Sequence, residues 1–258
     1  MQRTSKDLNG YIHETMKRFK LVDMREQYPD IIEEARQSKM DYEEFLARLL
    51  EVEDEGKTFR RTQNLLHKAK FDTTASLKKI DYNFNHSLNK AQIEELGRLD
   101  FINAKENIVI IGPPGVGKSM IATGIGRNAC HAGYKVLFVN AKELIDQLYT
   151  EMINGSLADV LKQLRKIDLL IIDELSYIKM DKEKESLFFQ IIRQRYEKGS
   201  LIITTNLPMG RWDELFTGQL AATAILDRVL HHCHVLSITG DSYRVKGSKK
   251  NVNNERTT

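Results

Sequence analysis

Five short apolar runs, each rich in Val, Ile or Leu, alternate with helix-length stretches through residues 101–246. No other feature constrains the fold as much. The runs are residues 108–112, 136–140, 169–173, 201–205 and 235–239. Between them lie stretches suited to helices, notably 141–153, 157–166, 183–198 and 220–232. Runs this short and this apolar are buried on both faces, which predicts a parallel sheet covered by helices. A ligand of such a sheet binds at the carboxyl ends of its strands.

The first run leads into Gly112-Pro113-Pro114-Gly115-Val116-Gly117-Lys118-Ser119. This fits the phosphate-loop pattern, and a helix-compatible stretch beginning at Met120 follows it. Gly124 and Gly126 weaken that helix. At a strand-to-helix turn the backbone N–H groups of the loop face an anion. Gly115 and Gly117 permit backbone angles that a side chain opposes. Lys118 is expected to reach the β- and γ-phosphates of ATP, and Ser119 to ligate Mg²⁺.

The third run ends in Asp173-Glu174. Beside a phosphate loop, Asp173 is assigned to Mg²⁺ and Glu174 to activation of the attacking water. Asp168, at the other end of the run, is expected on the surface or at a cap. The fourth run ends Thr204-Thr205-Asn206. A polar side chain there faces the γ-phosphate region. Asn206 is the candidate to orient water, and Thr204 or Thr205 can serve the same end.

Residues 1–72 read as all-helical. Pro29 and the charged stretch after it suggest a turn or a new helix start. Asp41 with Glu44 three residues later forms a capping-box pattern ahead of Phe45, Leu46, Leu49 and Leu50. Residues 73–100 read as a linker and a leading helix, with the boundary near Thr73. Residues 72–89 look like a connector, within which 81–87 is polar, carries two aromatics and shows no clean period. The tail 247–258 is polar and expected to be disordered.

A net charge of only +3 barely hints at nucleic acid, but the basic residues are unevenly placed. From 57 to 79 they are Lys57, Arg60, Arg61, Lys68, Lys70, Lys78 and Lys79, opposed in that segment by Asp72. Such a segment suits sequence-independent contact with DNA phosphates. Lys57, Arg60, Arg61, Lys68 and Lys70 are the candidate contacts, and Lys162, Arg165 and Lys166 form a second cluster. Cys130 and Cys233 have no metal-binding spacing and read as reduced, packed thiols. There is no apolar signal segment and no run long enough to span a membrane. A cytoplasmic protein is expected.

The Walker A loop, the Asp-Glu strand end and the Thr-Thr-Asn strand end resemble the AAA+ ATPases. Residues 106–119, 169–175, 224–232 and 241–246, with the acidic-aromatic helix around Tyr42–Phe45, look like the IstB-like helper ATPases of insertion sequences. These are relatives of DnaC-type helicase loaders and DnaA-type initiators. The resemblance covers nearly the whole chain. It implies an AAA+ core over 101–246 and a small helical domain for DNA or partner binding. Arg228 falls at the arginine-finger position and would act on a neighbouring subunit's site, which implies a homo-oligomer. Arg244 falls at the second sensor position. The chain departs from many AAA+ proteins in having a minimal or absent C-terminal lid.

The implied function is ATP-dependent regulation of transposition. Copies would assemble on double-stranded DNA with ATP and recruit an IstA-type transposase, and hydrolysis would disassemble them. The alternatives are a DnaC-type helicase loader, a nucleotide-gated scaffold with negligible turnover, and a small-molecule kinase. A catalytic Glu174 argues against the scaffold, and the basic arm is unexplained by the kinase.

Overall fold

The computed structural model describes residues 5–243 and divides into two compact units at Asn64/Leu65. In the first unit lie α1 (Ser5–Arg18), α2 (Val22–Ser38) and most of α3 (Tyr42–Lys68). Met16, Met24, Ile31, Leu49 and Val52 form its core. The capping box closes the start of α3. Asp41 Oδ1 accepts from the N–H groups of Glu43 and Glu44 at 2.9 and 2.8 Å, and Glu44 Oε2 accepts from Asp41 N at 3.0 Å.

Pro29 does not break the chain as expected but sits inside α2. A proline there forfeits one helical hydrogen bond. Met24 and Ile31, buried on either side of it, keep the helix packed. The start of α2 is capped from α3, because buried Glu53 accepts from Met24 N at 3.1 Å. Gly56 lets the two helices approach: a Cβ there would stand 2.1 Å from the Asp23 carboxylate.

The second unit continues with α4 (Lys90–Leu96), α5 (Asp100–Ala104), β1 (Asn107–Ile111), α6 (Lys118–His131) and β2 (Val136–Asn140). Then come α7 (Ala141–Ile153), α8 (Leu157–Leu164), β3 (Leu169–Asp173), α9 (Lys182–Arg195), β4 (Ser200–Thr205), α10 (Gln219–Leu230) and β5 (Cys233–Ser237). The five strands form one parallel sheet in the order β2-β3-β4-β1-β5. Successive side chains point to opposite faces, so each strand feeds two cores. Val109, Leu170, Ile172, Leu201 and Ile203 pack with α7, α8, α9 and α10, while Ile108, Ile110, Leu169, Ile171 and Ile202 pack with α6.

β5 begins two residues before the expected run, because Cys233 pairs with Asn107 at the start of β1. Thr239, expected in the strand, is held by side chains instead: its carbonyl accepts from Asn85 Nδ2 at 2.8 Å and Ser87 Oγ at 2.7 Å.

The connector 72–89 is packed, not loose. Leu77, Ile80, Tyr82 and Leu88 lie on the second core with Leu65, Leu66, Ala69 and Phe71. This also accounts for the glycines of α6. A Cβ on Gly124 would come within 2.6 Å of Leu77, and one on Gly126 within 2.8 Å of Phe71. Residues 65–71 thereby belong to the second unit, so the division falls inside α3 and ahead of Thr73.

At the amino edge of the sheet, Arg195 is 3% exposed. Its Nη1 donates to Leu164 O and Ile167 O, both at 3.0 Å, and its Nη2 to Asp168 O at 3.1 Å and Ser200 O at 2.8 Å. Asp168 caps the same edge, its Oδ2 accepting from Lys135 N at 2.8 Å.

Candidate active site

Strand order assembles the site. β4 lies between β1 and β3, with Ile111 opposite Thr205 and Ile172 opposite Ile203. The loop after β1, the acids ending β3 and the polar end of β4 therefore meet at one edge. A cavity of about 660 Å³ opens there. That volume lies within the range of small-molecule sites. Pro114, Gly115, Gly117, Lys118, Ser119, Met120, Asp173, Glu174 and Asn206 all line it.

The loop geometry explains its residues. Gly115 (φ 83°) and Gly117 (φ 100°) are left-handed, and Gly117 caps α6. Gly112 has no room for a side chain, since a Cβ would stand 2.3 Å from Ile238 O. Val116 is buried as an anchor, and Pro113 and Pro114 are exposed. Lys118 curls over the loop, donating to Gly112 O at 2.8 Å and Pro113 O at 2.9 Å.

Asp173 is 6% exposed, and its Oδ1 accepts from Ser119 Oγ at 2.9 Å and Thr204 Oγ1 at 2.5 Å. A hydroxyl and a carboxylate side by side form the oxygen donor set that Mg²⁺ takes when it also binds phosphate. The Thr204 hydroxyl also accepts from Glu174 N at 2.9 Å. Glu174 holds a left-handed backbone, φ 60°, a costly conformation for a residue with a side chain. Asn140, at the end of β2, donates to Glu174 Oε2 at 3.1 Å. Asn206 N donates to Ser176 Oγ at 3.1 Å.

Several wall residues escaped sequence reasoning. Asn140 and Thr123 come from β2 and α6, and Asp72, Thr73, Thr74, Lys79 and Asp81 from the connector. Tyr243 closes the wall: its N donates to Gly115 O at 3.0 Å and its hydroxyl to Asp81 O at 2.8 Å. Its ring lies 3.7 Å from that of Phe84, centroid to centroid, and burial raises its pKa. The polar composition of 72–89 with two aromatics was the available signal.

Other expected residues lie elsewhere. Arg228 is not in the cavity wall. Its Nη1 donates to Ala224 O at 2.7 Å and its guanidinium lies 5.0 Å from the Phe189 ring. Arg244 and the tail 247–258 fall outside the described residues. In the first unit, Lys57 lies 3.4 Å from Glu53, while Arg60 pairs with Asp23 and, at 3.6 Å, with Glu53. Those acids precede residue 57, so counting charge from 57 onward missed them. Arg61 is exposed in the same unit, and Lys68 and Lys70 are exposed in the second. Cys130 and Cys233 are free thiols. No helix among the described residues is long and apolar enough to cross a membrane.

A phosphate loop on β1, an Asp-Glu pair ending β3 and a polar strand end between them, on this strand order, define an AAA+ P-loop ATPase. The fold is similar to that of the DnaC helicase loader in its crystal structure (TM-score 0.56, 23% identity), over 66% of this chain and 99% of that one. The chain belongs to the family of IstB-like ATP binding proteins, which matches residues 14–251. It is 36% identical to the insertion sequence IS21 ATP-binding protein of Pseudomonas aeruginosa, over 91% of this chain and 89% of that protein. It is 38% identical to the IS5376 counterpart of Geobacillus stearothermophilus, over 91% and 94%. The chain is thus an ATP-binding, transposition-associated ATPase.

Proposed function

We propose that ATP assembles copies of this chain on duplex DNA, that the assembly recruits a transposase, and that hydrolysis takes it apart. The observation that carries this reading is the place of Arg228. Among the described residues no arginine lines the cavity, and Arg228 lies outside its wall, over the Phe189 ring. An arginine that neutralises transition-state charge is then supplied by a neighbouring copy, as in other phosphoryl-transfer enzymes. Exposed Lys68 and Lys70 support DNA contact, with Arg61 beside them in sequence. Lys57 and Arg60 are already committed to acids and are weaker candidates.

Within one site, Lys118 leaves the loop carbonyls for the β- and γ-phosphates. Ser119 and Asp173 would hold Mg²⁺, which would supply charge neutralisation at the phosphates. Thr204 aligns Asp173 with the Glu174 backbone. The Glu174 carboxylate, oriented by Asn140, takes a proton from the attacking water, and Asn206 orients that water. Insertion-sequence relatives supply the context for a transposase partner.

ATP turnover and size on random duplex DNA test the scheme together. ATP is expected to build a large complex, Glu174→Gln to trap it, and Arg228→Ala to bind nucleotide without turnover. Mixing Arg228→Ala with Glu174→Gln should restore some turnover, since wild-type site residues and arginine then meet at mixed interfaces. A protein that stays monomeric with ATP and ignores DNA sinks the reading. Binding to a replicative helicase would favour the loader, and phosphate transfer to a metabolite the kinase.

A further inference from the structure

His231, His232, Cys233 and His234 stand in a row, four side chains of metal-ligand type. The fold separates them. His234 Nε2 lies 2.7 Å from Glu106 Oε2. Cys233 packs on the core beneath α10, and burial pushes its thiol up to about 12. His231 and His232 remain exposed just past the end of α10, their ring centroids 4.2 Å apart. Glu197, just past the end of α9, joins them. Ligand atoms of Glu197, His231 and His232 all lie within 4.8 Å of one another, the one such group among the described residues.

We infer that these three side chains form a site for a divalent transition cation of the zinc class, distinct from the Mg²⁺ of the nucleotide. Two imidazoles and a carboxylate suit Zn²⁺, whereas Mg²⁺ takes oxygen ligands. Tetrahedral Zn²⁺ holds its ligand atoms about 3.4 Å apart, given bonds of about 2.1 Å. Exposed side chains close that gap by rotation. Tyr196 Oη lies 3.2 Å from His231 Nδ1, which orients the ring and leaves Nε2 to the metal. α9 and α10 both end here, and helix C-termini favour a cation. The fourth position is left to water. A cation there ties the two helix ends together. α10 carries Arg228 one turn upstream, and α9 carries the Phe189 beneath it.

Co²⁺ titration of the full, untagged and nucleotide-free chain, followed by visible absorption, tests the site. One Co²⁺ per chain is expected, displaced by Zn²⁺ but not by millimolar Mg²⁺. His231→Ala and His232→Ala should each weaken binding by about tenfold or more, and Glu197→Gln should weaken it too. Cys233→Ser and His234→Ala should bind as the wild type does. Far-ultraviolet circular dichroism checks that every variant is folded. Three outcomes overturn the site: no saturable Co²⁺ absorption, undiminished binding by His231→Ala, or one Co²⁺ per two chains with dimer formation.

Discussion

The two edges of the sheet each bury a charge, and they satisfy it in opposite ways. At the carboxyl edge, Asp173 is held by the hydroxyls of Ser119 and Thr204 beside an open cavity. At the amino edge, Arg195 is held by four backbone carbonyls. Hydroxyls rotate and exchange partners, so a metal or phosphate can replace them at little cost. Backbone carbonyls are fixed by the fold, so the arginine is a clamp across the end of α8 and the starts of β3 and β4. Burial lowers the Arg195 pKa to about 10, still well above neutrality. Burial of a charge therefore does not by itself mark a site; the mobility of its partners does.

The comparison is broken most directly at the carboxyl edge. Glu174→Gln should lower kcat by roughly 10²- to 10⁴-fold while nucleotide affinity and melting temperature stay near wild type. A stability loss as large as the activity loss would mean that this edge, too, is structural.

Next in size is the amino edge. Arg195→Met strands four carbonyls and should lower the unfolding free energy by roughly 3 kcal/mol or more in urea titration. Activity per folded molecule should survive.

Gly115→Ala probes the loop between these extremes. A left-handed residue with a Cβ 2.1 Å from Ser242 Oγ must push residues 241–243 off the loop. ATP affinity should fall by about tenfold, from a strain of roughly 1–2 kcal/mol, as read by calorimetry.

A last contrast concerns the thiols, which lie away from both edges' charges. Burial pushes Cys130 up to about 11 and Cys233 up to about 12. Native protein at pH 8 should alkylate roughly a hundredfold more slowly than unfolded chain. The sign for stability follows. The unfolded thiols release protons near pH 9 while the folded ones retain them, so stability should decline as pH rises from 9 towards 11.

How much of this was legible beforehand depended on the range of the interaction. The capping box at Asp41 and Glu44 and the phosphate loop are encoded within a few neighbouring residues, and both took their expected form. Pro29 misled because a local helix-breaker was overruled by the burial of Met24 and Ile31. Lys57 and Arg60 misled because their acidic partners lay outside the segment counted, one of them a helix away at Asp23.

By itself the sequence determined the alternation of strands and helices, the loop that follows β1, and the acids that end β3. Each rests on local chemistry: the hydrophobic period, glycine backbone freedom, and charge at a strand end. Only the tertiary structure decided the rest. The order β2-β3-β4-β1-β5 set Thr204 against Asp173 and Asn140 against Glu174. Packing on Gly124 and Gly126 drew the connector into the cavity wall. Chain entry and exit at the sheet's amino edge gathered four carbonyls around Arg195. Hydrogen bonds of this kind act over about 3 Å, and residues dozens of positions apart come that close only once strand order and register exist.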